Sequence, residues 1–335
     1  MAEKLKIGVI GCGAIAQNGH LPYYNNKVKL YVADTSQERL KEVSSSFTIE
    51  RCYSDYEDML QNEELDGVSI CLPNSLHAKA TINAANRGLH ILCEKPMALT
   101  LNDAKEMNDV CRENSVILMV NFTNRFMDGP RKVKELLEEG VIGEPYSIRV
   151  RYVHAGPYNN WAKSDWFYNV GQAGGGALMD MGIHGIDMCH FLMGPIRSVS
   201  ATLSNLSKDI PVEDNAVAMV EFDNHRIGVI EVGWTGAGGF TGIEVCGSQG
   251  SVVLDLRKGL FITENKSYPD GTVDFNENKV PCEISNGGWE TAIVEFISCL
   301  ENNTSPSCDG ELGYAAMKVV LAAYKSAENG QKILV

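Results

Sequence analysis

Acidic residues outnumber basic ones 43 to 29 over 335 residues, a net charge of -14 without a long single-sign run, which argues against nucleic acid or an anionic membrane as partner. A hydrophobic content of 44% over this length is enough for two cores, so two domains are expected. Ten cysteines form no CxxC pair, and Cys71 in VSICLP and Cys93 in HILCEKP sit inside apolar runs as reduced core residues do; the opening MAEKLKIGVIGCG has no leader pattern, so a cytoplasmic location is expected.

Short β-branched runs come first: KIGVI, VKLYVAD, LDGVSICLP, HILCEKP and VILMVNF. Between them, Gln37 to Phe47, His77 to Asn86 and Asn102 to Glu113 have helical spacing, with Gly88 and Asn114 as stop signals. This alternation predicts an α/β fold, a Rossmann doubly wound parallel sheet over residues 1–122 that ends near Phe122. A helix is expected around Pro130 to Glu139. Longer alternating segments follow: Tyr146 to Val153, Ile196 to Leu206, Asn215 to Phe222, Arg226 to Trp234, Thr241 to Cys246 and Gly250 to Leu256. They predict an α+β domain with a mostly antiparallel open sheet over residues 123–335. GGGALMDMGIHGIDMCHFLMG interrupts them as a glycine-rich turn feeding a helix from about Ala177 to Met193, a candidate active-site helix. Helices near Trp289 to Glu301 and Leu312 to Asn329 close the chain.

Gly11-Cys12-Gly13-Ala14-Ile15-Ala16 follows the first strand and opens a helix, which is the context a dinucleotide fingerprint requires. Gly11 permits the tight turn, Gly13 lets the backbone approach a pyrophosphate, and the small Ala16 allows close packing of helix on strand. Asp34 ends the second strand, where a carboxylate bonds the adenosine ribose hydroxyls and repels a 2′-phosphate. NAD is therefore expected over NADP, with Arg39 as a partial counterweight. In such a sheet the ligand lies beyond the strands' carboxyl ends, so Pro73 and Asn74 after the third run and Glu94 and Lys95 after the fourth should border the nicotinamide. His77 is a further neighbour of that edge or an ordinary helix-start histidine.

At about 100° per residue, Asp180 and His184 lie about 40° apart and Asp187 about 20° to the other side, so all three share one face of an ideal helix. A metal site from His184, Asp187 and His190 is set aside because no fourth ligand is evident. GQAGGG at Gly171 to Gly176 lacks the Lys-Ser or Lys-Thr of a phosphate loop and reads as a turn.

Through GVIGCGAIA, PNSLHAKATINAANRGLHILCEKPMALT and GGGALMDMGIHGIDMCHFLMG, in order, essentially the whole chain resembles the glucose-fructose oxidoreductase, inositol dehydrogenase and rhizopine catabolism family, written Gfo/Idh/MocA. The resemblance implies that Lys95, Asp180 and His184 form the catalytic group of an enzyme oxidising a secondary alcohol on a sugar or cyclitol, with hydride passing to NAD. It also implies a homodimer or homotetramer paired through the open sheet face. The family's arginine-rich segment is replaced here by Asn121-Phe122-Thr123-Asn124-Arg125-Phe126, so Asn121 and Arg125 are candidate substrate contacts in a departed motif. Tyr152, His154, Trp161 and Trp166 could stack on a sugar face or belong to the core. Two other readings stay open: a redox-neutral enzyme that retains NAD for glycoside cleavage or epimerisation, and a non-catalytic NAD-binding sensor.

Overall fold

The computed structural model describes residues 4–158, 164–236, 238–268, 272–284 and 288–335. They fall into two compact units, one of Met1–Phe122, Pro157–Gly174 and Trp289–Met317, the other of Thr123–Gly156, Gly175–Gly288 and Lys318–Val335. The single division after Phe122 expected from the sequence is therefore interleaved, because the chain returns twice to the first unit. The helix Gly288–Asn302 shows why: Trp289 meets His20 edge-on at 5.7 Å between ring centroids, and Leu300 lies against Gly67. A local apolar pattern predicts that a helix has a face to bury, not which sheet receives it.

In the first unit β1 (Lys6–Ile10), β2 (Lys29–Ala33), β3 (Arg51–Tyr53), β4 (Gly67–Ile70), β5 (His90–Glu94) and β6 (Leu118–Asn121) run parallel in the order β3-β2-β1-β4-β5-β6. β1, β4, β5 and β6 are buried almost throughout, as strands covered on both faces must be. β3 escaped the sequence reading because it is three residues long and mostly exposed. Helix Gln37–Ser46 starts where Ser36 Oγ accepts the Arg39 amide, and Leu101–Glu113 where Thr100 Oγ1 accepts the Asp103 amide.

In the second unit β7 (Pro145–Val153), β8 (Ile196–Ser204), β9 (Asn215–Phe222), β10 (Ile227–Gly233), β11 (Gly242–Gly247), β12 (Gly250–Asp255), β13 (Gly259–Ser267), β14 (Val273–Val280) and β15 (Ile333–Leu334) form one sheet, ordered β14-β13-β12-β11-β7-β10-β9-β8-β15. Only the β7–β10 pair is parallel, so the sheet is mostly antiparallel, as expected. β13 and β14 were not anticipated, because β14 reads DFNENK through its centre and is exposed along nearly its whole length. One face packs on helix Ile183–Met193, so closely that a Cβ on Gly185 would stand 2.7 Å from Ile230 Cγ2. The opposite face leaves Val217, Met219, Ile227 and Val229 exposed. No helix among the described residues is long and apolar enough to cross a membrane.

Candidate functional site

Parallel strands put the carboxyl ends of β1, β2, β4, β5 and β6 on one edge of the first sheet, the edge where open α/β sheets bind ligands. β1 leads there into Gly11, whose φ is +93° and whose Cβ, if present, would lie 2.5 Å from the Cys71 carbonyl oxygen. Backbone and space both demand glycine. At Gly13 the corresponding position has nothing within 4 Å, so a ligand can approach its backbone. Ala14 and Ile15 start the helix, and the fully buried Ala16 opens a π-helical turn, Ala16–His20, that runs into Leu21–Tyr24. The regular helix expected after the glycines is thus widened over one turn.

Asp34 closes the loop electrostatically. Its two oxygens accept the Cys12 amide at 2.7 Å and the Ser36 amide at 2.8 Å, and Arg39 Nη1 stands 3.6 Å away. Each oxygen retains a further lone pair for a ribose hydroxyl. Burial pushes the Cys12 thiol up to about 12, which keeps it protonated in the loop. The strained glycine, the open backbone at Gly13 and the carboxylate at the end of β2 together fit the adenosine half of NAD.

Lys95 directly follows β5 and is partly exposed, with a cis peptide to Pro96. Its neighbour Glu94, expected beside the cofactor, turns inward instead: Oε1 lies 2.9 Å from His20 Nε2 and accepts Asn121 Nδ2 at 2.6 Å. His20 Nδ1 is 3.3 Å from Ser69 Oγ, which is 2.8 Å from the Tyr24 hydroxyl. Asn121, expected to touch substrate, is wholly buried in this network. His77 is also fully buried, its Nδ1 2.8 Å from the Pro96 carbonyl and its Nε2 2.8 Å from that of Leu72. Burial holds its pKa below the usual histidine range, against the opposing pull of the two carbonyls. Pro73 caps the turn Asn74–Leu76, and Asn74 Nδ2 donates to the Ala173 carbonyl at 2.8 Å. Glu94, Asn121, His77 and Asn74 are therefore each bonded to other groups of the protein along this edge. A polar residue at a strand end can face either way, and the sequence does not say which.

In the second unit, Gly175 and Gly176 lead into the expected helix. A Cβ on Gly175 would stand 1.9 Å from the Tyr324 hydroxyl, and one on Gly176 1.9 Å from the Glu213 carbonyl oxygen. The Glu213 carboxylate accepts the Gly176 amide at 3.0 Å, the Leu178 amide at 2.9 Å and the Tyr324 hydroxyl at 2.8 Å, an anion seated on the open amides of a helix start. Leu178–Gly182 is a π-helical turn and Ile183–Met193 a regular α-helix. The uninterrupted helix from Ala177 to Met193 is corrected accordingly, and the 100° step that aligned Asp180 with His184 does not hold across the junction. Asp180 is partly buried and accepts Trp234 Nε1 at 3.2 Å; His184 is 8% exposed.

Asp187 does not join that polar face. It is buried and gripped by Arg125, whose Nε lies 2.8 and 2.9 Å from its two oxygens and whose Nη2 lies 2.8 Å from Oδ1. Arg125, expected at the substrate, and Asp187, weighed as a metal ligand, thus neutralise each other, and the guanidinium also lies 5.0 Å from the Phe191 ring centre. Burial pushes the Asp187 carboxyl up to about 6 in spite of Arg125. His190 is pushed down to about 4 by burial and by the cations of Arg125 and Lys318. Tyr152 is a core residue whose hydroxyl bonds Asn124, and burial raises its pKa. His154 Nδ1 accepts the Gly156 amide at 2.8 Å. In the first unit Trp166, partly exposed, stacks on Phe167 at 3.9 Å; Trp161 lies outside the described residues. His20, Ser69, Tyr24, Glu213 and Tyr324 were not singled out from the sequence.

Residues 5–122 match the family model described as the oxidoreductase family, NAD-binding Rossmann fold, and residues 131–253 match the GFO/IDH/MocA C-terminal domain. The 1,5-anhydro-D-fructose reductase of Ensifer adhaerens is 30% identical over 97% of this chain and 96% of its own. The myo-inositol 2-dehydrogenase of Thermotoga maritima is 27% identical over 98% of both. A solved levoglucosan dehydrogenase, in complex with NADH and levoglucosan, superimposes with a TM-score of 0.84 at 27% identity, covering 99% of each chain. With both halves of the pattern matched in order, the chain belongs to the Gfo/Idh/MocA family of oxidoreductases, with an NAD-binding Rossmann domain.

Proposed function

We propose that this protein oxidises a secondary hydroxyl of a sugar or cyclitol, with NAD preferred over NADP. The observation that carries the reading is a shared edge: the Gly11–Gly13 loop, Asp34 and Lys95 stand at the carboxyl ends of β1, β2 and β5 of one parallel sheet. Relatives named for 1,5-anhydro-D-fructose, myo-inositol and levoglucosan support a polyol as the substrate class. The Asp34 carboxylate favours a free ribose 2′-hydroxyl over a 2′-phosphate.

When bound, NAD supplies the carbon that accepts the hydride. His184 takes the proton from the reacting hydroxyl, a task suited to a side chain that ordinarily titrates near neutral pH. Lys95 hydrogen-bonds the same oxygen and offsets its growing negative charge. Asp180, one of whose oxygens is held by Trp234, accepts a neighbouring substrate hydroxyl. Val217, Met219, Ile227 and Val229, exposed on the free sheet face, supply the surface on which a second copy of the chain pairs.

The test is to follow reduced-nicotinamide absorbance while the protein and NAD are screened against inositols, hexoses and glycosides. Signal over many turnovers with one polyol is expected. Lys95→Ala and His184→Ala should each lower its rate by about 10²- to 10⁴-fold with NAD affinity kept. Unchanged turnover in either variant removes that residue from the mechanism, and silence with every polyol despite tight NAD binding overturns the dehydrogenase reading.

A further inference from the structure

Lys95 is bracketed in the chain by two residues, each fastened by a buried histidine. On the amino-terminal side, Glu94 is 6% exposed and its Oε1 is 2.9 Å from Nε2 of His20, a histidine with no exposed surface. On the carboxyl-terminal side, the carbonyl of Pro96 is 2.8 Å from Nδ1 of His77, also without exposed surface. The two histidines come from different elements. His20 ends the π-helical turn after β1 and is itself held by Ser69 on β4 and flanked by the Trp289 ring; His77 begins the helix after β4, its other nitrogen 2.8 Å from the Leu72 carbonyl.

We propose that His20 and His77 are positioning residues for Lys95, acting through Glu94 and Pro96 so that the segment 94–96 cannot swing away from the ligand edge of the sheet. Glu94 is the last residue of the β5–β6 ladder, opposite Asn121, so the chain leaves the ladder at Lys95, and a segment leaving a ladder opens at lower cost than the strand itself unless side chains anchor it. Here both flanking residues are tied to groups removed from water, Pro96 through the Nδ1–H tautomer of His77, and a hydrogen bond there is costly to break because the freed partner stays unsatisfied. Asn121 Nδ2, bonded to the same Glu94 oxygen at 2.6 Å, adds a third anchor from β6. The anchors thus tie the lysine to the elements that follow β1 and β4 and to β6. Glu94 acts here as a handle on the chain and not as a cofactor ligand.

The importance of this clamp for catalysis rests on the proposed role of Lys95, but the clamp itself is read without turnover. The NAD-saturated protein is pulsed with acetic anhydride over a range of pH, and acetylation of each lysine is quantified by peptide mass spectrometry. His20→Gln and His77→Gln should each raise the Lys95 labelling rate about tenfold, while Lys41 and Lys105 of the same unit stay at wild-type rates. Glu94→Gln, which keeps an acceptor for His20, should label nearly as the unaltered protein does, whereas Glu94→Ala should follow His20→Gln. Unchanged Lys95 labelling in folded histidine variants, or a uniform rise at all lysines, overturns the proposal. Should a histidine variant lose its folded circular-dichroism signal, hydrogen exchange of the unaltered protein decides. Lys95 and Met97 amides as slow as those of β5 support the clamp, and exchange at the rate of exposed turns overturns it. Turnover that survives Lys95→Ala would remove the lysine from the reaction and leave the labelling result intact.

Discussion

The carboxylate of Asp34 accepts the backbone amide of Cys12 at 2.7 Å, so the residue that ends β2 also fixes the glycine loop after β1. On the proposed reading of the site, Asp34 does two things for the cofactor: it presents an acceptor to the ribose and holds the loop that receives the pyrophosphate. Its replacement should cost more than one lost ribose bond. Asp34→Ala is expected to weaken NAD binding by about tenfold to a hundredfold, the range for bonds to a charged group. Calorimetric titration checks this. An unchanged Kd would mean that the loop keeps its shape without the carboxylate.

Glu213 caps the second unit's helix from 37 residues downstream of Gly176, and its loss strands two amides and the Tyr324 hydroxyl. Glu213→Ala should destabilise the protein by about 1–3 kcal/mol, the penalty for buried groups left without an acceptor. Glu213→Gln keeps an acceptor but loses the charge that suits a helix start, so its cost should be smaller. Thermal unfolding of the pair orders them, and equal midpoints for both variants and wild type would remove Glu213 as a cap.

The two architectures were legible in the sequence because period and turn chemistry are local: β1, β2, β4, β5 and β6 are apolar runs, and Gly11 and Gly13 stand in a motif whose geometry is physically required. Partnership is not local. Nothing near Glu94 says that its carboxylate meets His20, 74 residues earlier, and nothing near Arg125 says that Asp187 takes up its guanidinium. The place of Glu94 at the carboxyl end of a parallel strand, and the family motif around Arg125, both point to a ligand; each side chain instead finds a partner within the protein that makes its burial tolerable. The π-helical turns at Ala16–His20 and Leu178–Gly182 were missed for a related reason: spacing rules assume an unbroken helix.

Asp187 and His190 lie three residues apart on one helix and titrate in opposition. Asp187, raised to about 6, holds a proton in the folded state that the unfolded chain has released, so its contribution to stability grows as pH falls from about 6 towards about 3.9. His190, lowered to about 4, refuses a proton that the unfolded chain takes up, so its contribution is lost as pH falls from about 6.5 towards about 4. The two offset each other in acid. His190→Gln removes only the second, so its melting temperature relative to wild type should rise steadily as pH is lowered from neutrality through that window. A difference between the two proteins that does not vary with pH would contradict the burial of an uncharged His190.

The free face of the second sheet has an apolar centre, Met219 and Ile227 at 61% and 57% exposure with Val217 and Val229 beside them. Charged pairs surround it: Lys332 with Glu221 at 2.6 Å and Arg151 with Glu231 at 2.7 Å. An apolar core within a polar rim is the anatomy of an association surface, and a stable pairing needs about 1,000 Å² or more in total, an area a broad sheet face can supply. The unaltered protein is expected to be a dimer or larger by light scattering at micromolar concentration. Met219→Lys would place an ammonium at the centre of that face, where pairing with a second copy would take it out of water, and should shift the population to monomer while leaving the melting profile of the isolated chain little changed, since residue 219 is exposed within the chain. A monomeric wild type would refute the pairing outright; a Met219→Lys protein of unchanged mass would move the interface to another surface.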